Sequence, residues 1–285
     1  MVMNGRADLH THTTASDGTG APSDNVRLAK AGGLAAVAIT DHDTVAGVAE
    51  AVAEGVRLGI TVVPGVELST VAEGRDIHIL GYYFDLSDKV WLERLQSLRG
   101  VRGVRNEMIV ERLRELGLQV SMREVFEQAG KDGEGDNTVG RPHIAAVLVA
   151  KGYVSTMKEA FDCYLSSGAA AYVNPPRITP FQAIDWIREA GGAAVVAHPG
   201  LYGSDRLIEE LLRYGADGIE VFHSDHGPEE EARYGAMADR FGVVATGGSD
   251  YHGERNGVVF HGALGSRTVD ASVIARLEGI RRARW

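Results

Sequence analysis

The stretch Ala7-Asp8-Leu9-His10-Thr11-His12 reads as a short strand ending in two imidazoles. Side chains at i and i+2 of a strand share a face, so His10 and His12 can reach one point in space. The same motif, an apolar run closing on polar groups, recurs along the chain. A second strand over 35–40 ends in Thr40-Asp41-His42-Asp43, and a third over 61–68 contains Gly65-Val66-Glu67. His78 lies in a fourth over 76–82, and His198 closes a fifth over 193–198. A sixth covers 218–222, and the seventh, over 243–247, is followed by Asp250-Tyr251-His252. Helical patterns follow most of these runs. Ser23 is the expected N-cap of the first, with Gly32 and Gly33 after its last turn, and Pro228 opens another with Glu229–Glu231. Strand and helix in alternation predict an α/β chain with a parallel sheet or barrel, one strand short of the usual eight. In such barrels the C-terminal ends of the strands carry the active site.

The alternation breaks between about Trp91 and Tyr172. Leu92, Leu95, Leu98, Val101, Met108, Ile109, Leu113 and Leu116 recur at helical spacing, and Gly117 ends the run. Helical patterns follow at 122–129, 141–151 and 157–165, with a polar, Gly-rich loop expected over 130–140. The expected organisation is a barrel of residues 1–90 and 173–285 carrying an inserted helical cap subdomain, 91–172.

The composition is that of a folded globular chain: 285 residues, 44% hydrophobic, 24% charged. No apolar run spans a bilayer, and residues 1–8 lack the apolar stretch of a signal peptide, so no membrane partner is expected. One cysteine, Cys163, forms no internal disulfide and makes a cytoplasmic location the default; it is expected to be packed and inert. A net charge of −10 argues against a broad surface for long duplex nucleic acid.

His10, His12, Asp17, His42, Glu67, His78, His198, Asp250 and His252 are nine candidate metal ligands at or near strand ends. A lone histidine there is usually structural. Nine such groups on one face would bury unpaired or like-charged groups at large cost unless a cation joins them. A single site uses about four ligands, so nine suit two or three divalent ions, with Glu67 placed to bridge. Mixed imidazole and carboxylate ligation favours Mn²⁺, with Fe²⁺ or Zn²⁺ as alternatives, over Ca²⁺ or Mg²⁺.

With DLHTHT, AITDHDT, GVELS, HILGY, AHPG and GSDYHG in order across residues 8–253, the chain resembles the polymerase and histidinol phosphatase (PHP) family of metal-dependent phosphoesterases. A GRPHIA stretch at 140–145 and a carboxylate, Asp17, at the third position of the first motif resemble the bacterial branch of 3′,5′-nucleotide bisphosphate phosphatases and 5′-3′ exoribonucleases. The resemblance implies a distorted seven-stranded (β/α)7 TIM-like barrel, a trinuclear centre and a metal-held water as nucleophile. It implies small phosphorylated substrates: the 3′-phosphate of 3′,5′-bisphosphonucleotides, the 5′ end of a short RNA, or a cyclic phosphate.

Arg141 and His143 begin a predicted helix, where a guanidinium and free backbone donors suit a phosphate. His226 is expected as a substrate or leaving-group contact, because that branch has a histidine there. His223 and His261 are expected to be incidental; Asp41 and Asp43 are candidates to orient His42 or its neighbours, and Asp41 could equally cap the helix that follows. Two other classes compete. An amidohydrolase acting on C–N bonds would carry a bridging lysine, where this chain has Glu67. A non-catalytic metal-binding module would be expected to have lost ligands.

Overall fold

A computed structural model describes residues 4–132, 139–255 and 257–284. Part of the loop expected over 130–140 therefore lies outside the described residues. The chain divides into two compact units, residues 1–95 with 178–285, and residues 96–177.

The first unit is built on a sheet whose strands follow one another in chain order. They are β1 (Arg6–Asp8), β2 (Ala36–Ile39), β3 (Thr61–Ala72), β4 (Arg75–Tyr82), β5 (Ala193–Val196), β6 (Gly218–His223) and β7 (Val244–Gly248). β8 (Glu254–Arg255) and β9 (Val258–Val259) form a separate ribbon, and β10 (Val269–Asp270) pairs antiparallel with β1. The sheet thus has eight strands rather than the seven expected, because a two-residue strand leaves no alternating pattern to read. Leu9 N–H donates to Gly247 O (3.1 Å) and His12 N–H to Tyr251 O (2.8 Å), drawing the first and seventh strands together into a nearly closed barrel.

The sheet is mixed, which corrects the expectation of parallel strands. β4 runs antiparallel to both β3 and β5. Ala72 pairs with Arg75 across a two-residue turn whose members, Glu73 (φ 51°) and Gly74 (φ 74°), are both left-handed. That is the turn that joins twisted antiparallel strands most readily, and Glu-Gly is its sequence trace. Reversal has a functional consequence. His78 pairs with Ser69, so the first half of β4 lies at the same end of the barrel as the last half of β3.

Small side chains fill the barrel: Ala7, Ala36, Ala38, Ala193 and Ala197 pack with Leu9, Leu80 and Tyr82. Ile274 and Leu277 of α10 (Ser272–Arg284; the tenth helix in chain order) join the same core. On the outside, α1 (Pro22–Ala31) and α2 (Val48–Leu58) cover β2 through Val26, Ala29, Val48 and Ala51. The N-cap of α1 is Ala21, not Ser23: Pro22 takes the first helical position, where its fixed φ and missing N–H cost nothing. The Ser23 N–H goes instead to Glu50 Oε1 (3.0 Å).

α3 (Lys89–Glu115) leads into the second unit. There α4 (Met122–Gln128), α5 (Arg141–Ala150), α6 (Met157–Ala160) and a π-helical turn (Phe161–Leu165) enclose a core of Ile109, Leu113, Val125, Ile144, Leu148 and Leu165. Burying a side chain of this size contributes about 1.5–3 kcal/mol, enough for a separate core to hold the unit together. Ser121 and Glu124 form a reciprocal cap on α4. Cys163 is exposed on the π-helical turn, against the expectation that it is packed. Among the described residues no helix is long and apolar enough to cross a membrane.

α7 (Pro180–Glu189), α8 (Asp205–Tyr214) and α9 (Pro228–Phe241) complete the outer helices of the first unit. Pro228 does open α9, with Glu229–Glu231 in its first turn.

Candidate metal centre

The loop after β1 carries His10, His12 and Asp17, and Asp41 holds it in shape. Thr13 N–H (2.7 Å), Thr13 Oγ1–H (2.7 Å) and Ser16 Oγ–H (2.6 Å) all donate to Asp41. Asp43, at φ 55°, accepts from Ser69 N–H (2.8 Å) and so aligns β3, which bears Glu67. Both aspartates thus brace segments that carry candidate ligands.

Three donor sets lie side by side, and Glu67 belongs to two of them. In the first, Glu67 Oε2 faces His12 Nε2 (3.2 Å) and His10 Nε2 (3.5 Å). Asp250 Oδ1 faces the same two nitrogens at 3.1 and 3.3 Å. In the second, Glu67 Oε1 lies 2.8 Å from His78 Nδ1 and 3.0 Å from His198 Nε2, which are 3.3 Å apart. In the third, Asp17 stands 3.8 Å from His42 Nε2 and 3.5 Å from His252 Nε2, with His12 alongside. Donors about 2.1 Å from a common ion stand roughly 3.0–3.4 Å from one another. The first two sets, at 2.8–3.5 Å, fall within about 0.2 Å of that range, and the third, at 3.5 and 3.8 Å, is wider.

The histidines are oriented from behind. Glu220 places its carboxylate 3.1 Å from His10 Nδ1 and also accepts from His198 N–H (2.8 Å). His252 Nδ1 donates to Asp250 O (2.8 Å). A carboxylate or carbonyl on Nδ1 fixes the tautomer that turns Nε2 toward an ion.

Electrostatics point the same way. Glu67, Asp17 and Asp250 are buried, yet the surrounding imidazoles hold their carboxyls well below the ordinary range. Burial would lower His12, but Asp250 and Glu67 outweigh it and raise the ring to about 10. His198 responds to burial instead and falls to about 4. His10 Nε2, His12 Nε2 and Asp250 Oδ1 are buried and make no hydrogen bond, as atoms shaped for a cation should be.

The PHP domain model matches residues 8–165. The 5′-3′ exoribonuclease Rnm of Escherichia coli is 38% identical over 252 residues, covering 86% of this chain and 84% of that protein. The chain belongs to the PHP family. A 3′,5′-nucleoside bisphosphate phosphatase of Chromobacterium violaceum is 35% identical over 258 residues, 88% of each chain. A solved PHP-type structure from Bifidobacterium adolescentis, described as a metal-dependent phosphoesterase, superposes with a TM-score of 0.87 at 33% identity, covering 96% of both chains.

The PHP barrel brings all nine candidate positions into the three sets. Three further residues join them that sequence reasoning missed or dismissed. Glu220 carried no motif and sits in the middle of an apolar strand. His223 is fully buried, with Nε2 3.3 Å from Asp250 Oδ2. His261 Nε2 lies 3.4 Å from the same oxygen. Both histidines, expected to be incidental, stand beside Asp250 Oδ2, brought there by segments remote from it in the chain.

His226 requires the opposite correction. Its Nδ1 donates to Val221 O (2.9 Å) and its Nε2 accepts from Gly200 N–H (3.1 Å), so both ring nitrogens are committed to backbone. It braces the turn after His198 rather than presenting a free nitrogen to a substrate. In the helical unit, Arg141 Nη1 donates to Leu165 O (3.2 Å), and His143 Nδ1 accepts from Gly140 N–H at the start of α5 (3.1 Å).

Proposed function

We propose that this PHP protein hydrolyses phosphate esters of nucleotides: the 3′-phosphate of 3′,5′-bisphosphonucleotides, the 5′ ends of short RNA, or both. The observation that carries the reading is Glu67, whose two oxygens each join a separate group of imidazoles at ion-coordination spacing. His10, His12, Asp17, His42, Glu67, His78, His198, Asp250 and His252 would hold two or three divalent ions, Mn²⁺ first. The exoribonuclease and bisphosphate phosphatase relatives support the choice of nucleotide substrates.

Divalent ions at such a centre supply Lewis acidity to the phosphoryl oxygens and activate the attacking water. The chain's own residues do the placing. Glu220 and the Asp250 carbonyl fix imidazole tautomers, and Asp41 and Asp43 hold the segments that bear the ligands. Arg141, with the backbone donors at the start of α5, is assigned to a substrate phosphate, and His143 to a second contact on the same substrate.

The test is a panel of 3′,5′-bisphosphates, mononucleotides, cyclic phosphates and 5′-phosphorylated oligoribonucleotides, with Mn²⁺ content measured on the same preparation. Release from the bisphosphate or the oligonucleotide supports the proposal. Turnover of the cyclic phosphate alone would move the protein to diester hydrolysis, and a metal-loaded protein inert to all four overturns the reading.

A further inference from the structure

Asp250 divides its two oxygens between different neighbours. Oδ1 faces His10 and His12, as described above. Oδ2 faces a second pair, His223 Nε2 at 3.3 Å and His261 Nε2 at 3.4 Å. The hydrogen bonds on the far side of each ring give these two histidines opposite characters.

His223 Nδ1 accepts from Asp225 N–H (3.1 Å), so its proton belongs on Nε2, and the ring is a donor facing Oδ2. His261 Nδ1 lies 2.6 Å from Asp225 Oδ2. A carboxylate only accepts, so Nδ1 carries a proton, and the neutral ring presents its lone pair on Nε2. This repeats the relation of Glu220 to His10, the carboxylate–histidine pairing that turns Nε2 toward a metal. A bare imidazole nitrogen and a carboxylate oxygen 3.4 Å apart repel one another unless a proton or a metal ion lies between them, and a metal ion uses both lone pairs. Donor atoms of Asp250, His252 and His261 all lie within 4.8 Å of each other. Backbone geometry adds an independent observation: Asp250 (φ 52°) and His261 (φ 60°) are both held in the left-handed region, a strain that clusters at functional sites.

We propose that His261 is a further metal ligand through Nε2, oriented by Asp225, and that the two oxygens of Asp250 would serve separate ions, the part also assigned to Glu67. The proposal rests on the metal-centre reading above and adds a tenth ligand to the nine read from the sequence.

The experiment measures Mn²⁺ binding to the full chain by the electron paramagnetic resonance signal of free Mn²⁺, with bound metal counted by elemental analysis. Wild type is compared with His261→Ala and Asp225→Asn. For His261→Ala we expect one class of ion to weaken by about tenfold or more, or to disappear from the count, and for Asp225→Asn a smaller weakening of the same class. A His261→Ala isotherm that superposes on wild type overturns the proposal, whatever happens to turnover. Loss of activity with unchanged binding would make His261 a group acting on substrate instead. Should His261→Ala fail to fold, Asp225→Asn, which keeps its volume, decides by the same criterion. Wild type that binds no Mn²⁺ would overturn the underlying metal reading instead, a result distinct from any difference between variants.

Discussion

Asp8 faces none of the donor atoms of the three sets, yet it ties the segment after β1 to the segment after β7. It accepts from the N–H groups of His10, Ser249 and Gly265 and from the Ser249 hydroxyl. Burial pushes its carboxyl up to about 6, against those hydrogen bonds. A folded value above the unfolded 3.8 means that this contribution is complete below about pH 4 and is lost as pH rises through 6. Asp8→Asn keeps the shape but turns a donor toward the Gly265 N–H, at a cost of about 1–3 kcal/mol. Urea unfolding of both proteins should show that cost, with the gap between them larger at pH 4.5 than at pH 7. A gap independent of pH would show that Asp8 is charged in the fold throughout.

At the scale of elements, the close approach of β7 to the segment after β1 sets where His10 stands. A Cβ on Gly248 would fall 2.3 Å from His10 N and 2.5 Å from His10 Cβ, and backbone cannot yield as a side-chain tip can. Gly248→Ala is expected to cost about 1–3 kcal/mol or more and to displace the first ligand pair. Thermal unfolding and Mn²⁺ affinity should therefore fall together; a variant with lowered melting temperature and wild-type affinity would show that His10 had not moved. α5 offers a contrasting test. If Arg141 binds substrate phosphate, Arg141→Ala should raise KM by about tenfold to a hundredfold, the equivalent of one charge-assisted hydrogen bond. Steady-state kinetics should show kcat nearly unchanged, and Mn²⁺ binding should not change at all. The β3–β4 hairpin makes a further point at this scale. Its Glu73-Gly74 turn reverses the chain, and only that reversal brings His78 to the end of the barrel where Glu67 stands.

For the whole molecule, ions that bind the fold and not the unfolded chain stabilise it by mass action. At a hundredfold excess over the dissociation constant one site contributes about 2.7 kcal/mol, equivalent to roughly 5–10 °C for a chain of this size. Mn²⁺ should raise the melting temperature by at least this much and a chelator should reverse it. Glu67→Gln, which removes the charge shared by two sets, should abolish most of the shift in the same calorimetric scan.

How much was legible in advance follows from what each signal depends on. Strand-end histidines at i and i+2, a carboxylate in a third strand and Asp-x-His after the last one are local patterns, and local patterns survive in one dimension. Periodicity likewise located the helices from α3 through the π-helical turn, although of the α3 stripe Leu95, Leu98, Ile109 and Leu113 are buried while Leu92, Met108 and Leu116 are exposed. By itself, then, the sequence determined the α/β barrel class, the helical insertion and nine polar groups suited to divalent ions. Tertiary structure alone decided the eighth strand, the reversed β4, the placement of Glu220, His223 and His261 around the ligands, and the commitment of His226 to backbone. Those features depend on distances between residues remote in the chain, such as Asp225 to His261 and Asp8 to Gly265. A hydrogen bond is set by angstroms between elements, and no spacing along one strand encodes how its neighbour is shifted against it.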